Sequence, residues 1–290
     1  MGNTLFPDDP DKVSVIRYLT PDIITFSLPF ARFGIVKFGA RATLVDNERL
    51  VKLPSGNLLI FSPTPLTPTI RSVIAKTGTG QIGYIVAPDT EHHLHLSAWK
   101  TAYPGARIIA PEGLLEKRQR TLGNGPDTSA DCNPAFDYIY TAANKYSLQV
   151  SDDPEFHATF AVEYVHSHPN REIVLLHKPS RYLIQADLMF NLPGTEQYSL
   201  SGEKAEDGLW NRLGMGWMKA RTPAERTAQA RFVWYVLAAG DRKNFGESIR
   251  RIWGWDFGGI VPCHGDVIED DQEGKGREVF EGVFEGFLKG

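Results

Sequence analysis

Three stretches of the chain each end an apolar run in a residue that can bind a metal. "IGYIVAPDTEHH" carries His92 and His93, "YLIQAD" ends in Asp187, and "IVPCHGD" carries His264. Imidazole and carboxylate together suit zinc, iron or manganese. The segment "DTEHHLHLSAW" holds three of the eight histidines within four positions. Each piece also has a plainer explanation. Paired histidines at a helix start can be solvated polar residues. Asp187 can cap a turn, and "HG" can be a turn with an exposed imidazole. Order and context join the three: separate strands, each finishing in a metal-binding residue, on loops where layered folds carry function.

Those residues need strands to hold them. "DIITFSL" and "ATLVDN" are short β-prone runs, and "RLVKLPSGNLLIFSP" reads as a hairpin about "PSGN". "TPTIRSVIAKTG" has apolar residues at helical spacing, with Gly78 able to end the helix. "IGYIVAP" is a short continuous apolar run, as expected of a buried strand. "HLSAWKTAY" follows as a short helix, then "ARIIAPEG" as a strand. Residues 116–155 are rich in turn formers and read as a surface insertion. Strands resume with "TFAVEYVHS", "EIVLLHK" and "YLIQADLMF", the last two flanking "PSR", a second hairpin signal. "TPAERTAQARFVWYVLAAG" opens with a Thr N-cap, Pro at the first helical position and Glu at the third. "KNFGESIRRIWGW" reads as a helix, "GGIVPCHGD" as a short strand, and 265–290 as a docked C-terminal helix. Two strand-rich blocks, each followed by helices, predict two mixed sheets packed face to face with helices outside. The whole of 1–290 reads as a single domain.

Composition is that of an ordinary globular chain, at 42% hydrophobic and 23% charged residues. A net charge of −4 and scattered Lys and Arg speak against a nucleic-acid footprint. Cys132 and Cys263 are too few for a disulfide framework, so a reducing compartment is the simpler reading. The acidic start "MGNTLFPDDPDK" has no apolar core of a secretory signal, and Phe6 stands where a myristoylation motif wants Ser or Thr. No apolar run is long enough to span a bilayer. A soluble cytoplasmic protein is expected, with a small-molecule substrate and neither nucleic acid nor membrane as partner.

The pattern resembles the metallo-β-lactamase superfamily, from about Ile23 to Ile268. It fits best a divergent branch known mainly as a domain of unknown function, in which "PDTEHHLHLSAWKTAYPGA", "LIQADLMFN" and "VPCHGD" have counterparts. The resemblance implies a four-layer α/β/β/α sandwich and a metal site made by His92, His93, Asp187 and His264. Asp187 and His264 would double as catalytic residues. The superfamily's leading His-x-His-x-Asp-His motif is broken here. With His93 as its last His, His92 takes the Asp position and Pro88 and Thr90 replace the first two His. One of two metal positions is therefore expected to be lost, leaving one divalent metal, zinc first and iron or manganese after it.

Additional candidates are His95, His168 and His177. His168, in "VHSHPNRE", lies near a further ligand of the superfamily, with His166 beside it. His95 falls in the helix start. His177 ends "EIVLLH" with Glu172 nearby, and a strand histidine bonded within the fold is its simpler explanation. His157 reads as surface and Cys263 as packing. Trp210, Trp217 and Trp234 can line a pocket or fill a core. The implied activity is a metal-dependent hydrolase of a small ester, thioester, lactone or amide. The alternatives are iron-dependent redox or lyase chemistry on the same site, or a metal-free, non-catalytic binding protein.

Overall fold

The computed structural model describes residues 5–32, 36–46, 58–121, 134–147, 154–208, 211, 215–271 and 274–289. In chain order its strands are β1 (Val15–Thr20), β2 (Ile23–Leu28), β3 (Ala31–Arg32), β4 (Val36–Lys37), β5 (Ala40–Val45), β6 (Leu58–Phe61), β7 (Ile82–Val86), β8 (Arg107–Pro111), β9 (Tyr138–Tyr140), β10 (Phe160–Val165), β11 (Glu172–His177), β12 (Tyr182–Gln185) and β13 (Gly259–Pro262). One sheet runs β1-β2-β5-β6-β7-β8-β9, and a second runs β10-β11-β12-β13. The large sheet is antiparallel as far as β6 and parallel beyond it. The small one is antiparallel except for the β12–β13 pair.

Alternating side chains explain the layering. On β6, Leu59 and Phe61 join Tyr84 and Val86 in a core that also contains Leu175, Ile184 and Val261 of the second sheet. Their neighbours Leu58 and Ile60 turn the other way, onto Ile70, Ile74 and Trp99 of the helices Pro68–Ile74 and Leu96–Ala102. Val174, Leu183 and Ile260 likewise turn outward onto Ile249, Phe280 and Phe284 of the helices Arg242–Trp253 and Lys275–Leu288. The protein is thus an α/β/β/α sandwich. Strands buried on both faces need apolar residues at every position, which is why "IGYIVAP" and "EIVLLH" show no alternation.

The helix Pro223–Phe232 starts where its sequence says. Thr222 Oγ1 accepts from the Glu225 N–H, and the Glu225 carboxylate accepts from the Thr222 N–H. Residues Val233–Leu237 continue it as a π-helical turn. Among the described residues no helix is long and apolar enough to cross a membrane.

Two expectations change. The segment 116–155 is not all insertion: a helix, Leu114–Thr121, enters it, and β9 pairs in parallel with β8. Tyr140 of β9 lies in the core between the sheets. A strand of three residues leaves too short a pattern to stand out among turn formers. The C-terminal helix begins at Lys275 rather than 265, because Ile268 first returns to bridge Ile260. The "PSGN" turn and Cys132 lie outside the described residues, although β5 and β6 do pair antiparallel.

His177 reports on this fold without touching the candidate site. It is buried at the far end of β11, with Nδ1 2.7 Å from Ser180 Oγ, and burial pushes its pKa down to about 4. The unfolded chain takes up this proton near pH 6.5, the folded one only near pH 4. Its contribution is therefore complete above pH 6.5 and is lost as the pH falls from 6.5 to 4. The stability advantage of wild type over His177→Gln should shrink by about 2–3 kcal/mol between pH 7 and 4.5. Urea unfolding at both pH values measures it, and a constant advantage would contradict the burial argument.

Candidate metal centre

Strand register brings the first two residues together. β12 and β13 pair in parallel with Gln185 opposite Pro262. Asp187 and His264 each follow two residues later, so they leave the sheet side by side. The third residue comes from the other sheet, on the loop after β7. Two backbone bonds tie that loop across: Ile173 N–H to Pro88 O at 2.6 Å, and Thr90 N–H to Asn170 O at 3.0 Å. Pro88 and Thr90 thus join the sheets through their backbones, at positions where the resemblance led one to look for ligands.

His92, Asp187 and His264 form a group whose ligand atoms all lie within 4.8 Å of one another. His92 Nε2 is 3.1 Å from His264 Nε2, which is 3.4 Å from Asp187 Oδ1. Donors about 2.0–2.1 Å from one tetrahedral ion stand roughly 3.3 Å apart, so these separations fit a single cation. The tautomers agree. His264 Nδ1 donates to Gly39 O at 2.6 Å, and His92 Nδ1 donates to Asp89 Oδ2 at 2.8 Å. Both Nε2 lone pairs then face each other, and they repel unless a proton or a cation lies between them. Burial opposes charge on His92, but Asp89 and then Asp187 outweigh it and lift its pKa to about 10. Burial lowers His264 to about 4, so His92 keeps the shared proton when no cation is bound.

Each member is held from behind, as metal-binding side chains usually are. Fully buried Asp89 accepts from His92 Nδ1 and from the N–H groups of Glu91 and His92. Burial works to raise its pKa, yet the His92 charge and these bonds bring it down to about 2. Glu172 grips the Asp187 turn, its two oxygens accepting from the N–H groups of Ala186 and Asp187. Burial and then the Asp89 and Asp187 charges push the Glu172 carboxyl well up, against the pull of those N–H groups. Asn170 Nδ2 donates to Asp187 Oδ2 at 2.7 Å. Around His264, Arg41 donates to the carbonyls of Pro262 and Gly265, while Gln197 bonds Cys263 O and the Gly265 N–H. Gly265 has φ +94, and a Cβ there would lie 2.2 Å from Asn191 O.

His93 stands outside the group. Its Nδ1 is 3.2 Å from Arg118 Nη1, a cation rather than a metal's place. Glu172 and His177, read together, sit at opposite ends of β11, and His177 is bonded to Ser180 instead. His168 lines the same cavity, buried, with Nδ1 accepting from the Asn170 N–H and Nε2 without a hydrogen bond among the described residues. His95 also lines the cavity, its ring edge-on to Phe6 at 5.0 Å. Cys263 packs between the sheets, where burial raises its thiol well up. Sequence reasoning passed over Asp89. Its signal was present: Asp followed by two polar residues is a turn former that binds N–H groups just downstream.

The group opens on a cavity of about 680 Å³. Phe6, Phe30, Phe38, Phe190, Met218 and Phe232 give it an apolar wall. Phe190 stacks on the His264 ring at 6.0 Å and 11°. Arg32, Glu91 and Lys117 line another part, with Lys117 paired to Glu91. An apolar cleft of this size with few polar groups suits a small organic molecule.

No family model matches the chain, and no curated protein matches it. Solved structures do. The flavodiiron core of Flv1 from Synechocystis sp. PCC6803 superposes with a TM-score of 0.55 at 11% identity, over 95% of this chain and 61% of that one. A metallo-β-lactamase from Erythrobacter litoralis gives 0.54 at 11% identity, over 96% and 97%. One from Pontibacter korlensis gives 0.51 at 9% identity, over 95% and 99%. At such identities the likeness establishes the fold.

The support around His92 can be tested directly. In Asp89→Asn the amide can donate to His92 Nδ1, which switches the tautomer so that Nε2 carries the proton. Zinc affinity should fall by about 10–100-fold, measured by competition with a chromogenic chelator. Exposed His157→Ala is the control and should bind as wild type does. Equal affinity in Asp89→Asn would place His92 outside the metal site.

Proposed function

We propose that the protein is a metal-dependent hydrolase of a small ester, thioester, lactone or amide, working as one domain with one divalent ion, zinc by preference. It would belong to the divergent branch of the metallo-β-lactamase superfamily that its motifs resemble, and act in the cytoplasm. The observation that carries the reading is the His92–Asp187–His264 group opening on an apolar cavity. Three protein ligands with a place left open are the pattern of catalytic rather than structural zinc. A bound ion would supply Lewis acidity and a water of pKa about 7.

The chain's own residues prepare the rest. Gly39 O and Asp89 fix the two imidazoles so that each presents a lone pair. Asn170 and Glu172 hold the Asp187 carboxylate beside His264, where it can orient a water as well as bind. The phenylalanine wall would seat an acyl or aryl group and keep bulk water off that flank.

A second reading has its own support. Two histidines and one carboxylate also form the triad of non-haem iron enzymes, and the flavodiiron core has the same fold. Iron-dependent redox chemistry is therefore the alternative.

Native protein should carry about one equivalent of tightly held metal per chain, measured by elemental analysis after dialysis. Zinc with chelator-sensitive hydrolysis of p-nitrophenyl acetate supports the first reading. Iron with oxygen consumption and no esterase activity supports the second. His264→Ala should lose the metal while keeping a cooperative thermal transition. A metal-free wild type that cannot be reloaded would leave a non-catalytic binding protein.

A further inference from the structure

His92 and His93 are neighbours with opposite surroundings. His92 faces a carboxylate, which can only accept, so its proton sits on Nδ1. His93 faces the Arg118 guanidinium, which can only donate. Arg118 Nη1 approaches His93 Nδ1 at 3.2 Å and His93 O at 2.7 Å, while Nη2 donates to Ser97 Oγ at 2.6 Å. Arg118 and His93 are both buried. Nδ1 of His93 must therefore accept, and the ring proton lies on Nε2. Among the described residues that Nε2–H meets no hydrogen-bond acceptor, and the residue lines the cavity beside His92 and His264.

We propose that His93 is not a metal ligand but a hydrogen-bond donor to the substrate, and that Arg118 is the positioning residue that fixes its tautomer. The proposal rests on the hydrolase reading. A neutral imidazole N–H polarises a carbonyl, and it binds more strongly to the oxyanion of the tetrahedral transition state. His93 keeps its own proton throughout. Water adds to the carbonyl carbon, the bond to the leaving group breaks, and the proton from water ends on that group. No other reactant is needed.

The test separates a donor from a ligand. Nitrogen-15 spectra of histidine-labelled protein, metal-free and zinc-loaded, should show His93 protonated on Nε2 in both, and Arg118→Met should leave a mixture of tautomers. His93→Phe should keep the zinc content of wild type. Its kcat for p-nitrophenyl acetate should fall by about 10²–10³ with KM changed much less, and His93→Gln, which retains an N–H donor, should recover part of the loss. Zinc loss in His93→Phe, or a His93 Nε2 that loses its proton on zinc loading, would make it a ligand and overturn the proposal. Unchanged kcat in a zinc-retaining His93→Phe would overturn the donor role alone. No esterase turnover in zinc-loaded wild type would instead overturn the hydrolase reading, and the donor with it.

Discussion

The site depends on a buried guanidinium that crosses between the sheets. Arg41 belongs to β5 of the large sheet, and its side chain is fully buried. It donates to the carbonyls of Pro262 and Gly265, at the end of β13 in the small sheet. Those carbonyls flank Cys263 and His264, so the arginine fixes the turn that carries a candidate ligand. Its charge is met by Glu196 and its Nε by Ser27 Oγ. Burying such a group is costly, and removing one partner from a buried ion pair typically costs about 3–5 kcal/mol. Sheet packing and the placement of His264 are therefore coupled here through one side chain.

Charge is distributed around the centre with the same economy. Asp89, Asp187 and Glu172 are three buried acids close to one another, which the fold tolerates by giving them separate donors. Asp89 has His92 and two N–H groups, Asp187 has Asn170, and Glu172 has two N–H groups. A divalent cation would add the positive charge that the Asp89 and Asp187 carboxylates favour.

Much of this was legible in the sequence, for a physical reason. Strands buried on both faces leave continuous apolar runs, and a polar residue closing such a run stands out. Asp187 and His264 were visible that way, as were the two sheets and the capped helix at Thr222. Adjacency alone could not tell His92 from His93. That distinction depends on partners, one three residues away and one twenty-five, whose approach only the fold decides. Arg41, Gly39 and Asn170 were silent for the same reason: their contribution is a contact across the molecule. β9 was hidden by its brevity.

The connection between the two ligand strands has a further consequence. Asp187 follows β12 and His264 follows β13, and the hydrogen-bond ladder between those strands sets their spacing. The chain in between leaves the sheet and returns, and it supplies Phe190, Met218, Phe232 and Leu237 to the cavity wall. Leu237 ends the π-helical turn that continues a capped helix. The candidate ligands and the cavity wall thus come from different parts of the chain. Substitutions in the connection would remodel what the cavity admits while the ladder holds the His264–Asp187 pair still, so on the proposed reading this architecture could change its substrate without rebuilding its chemistry.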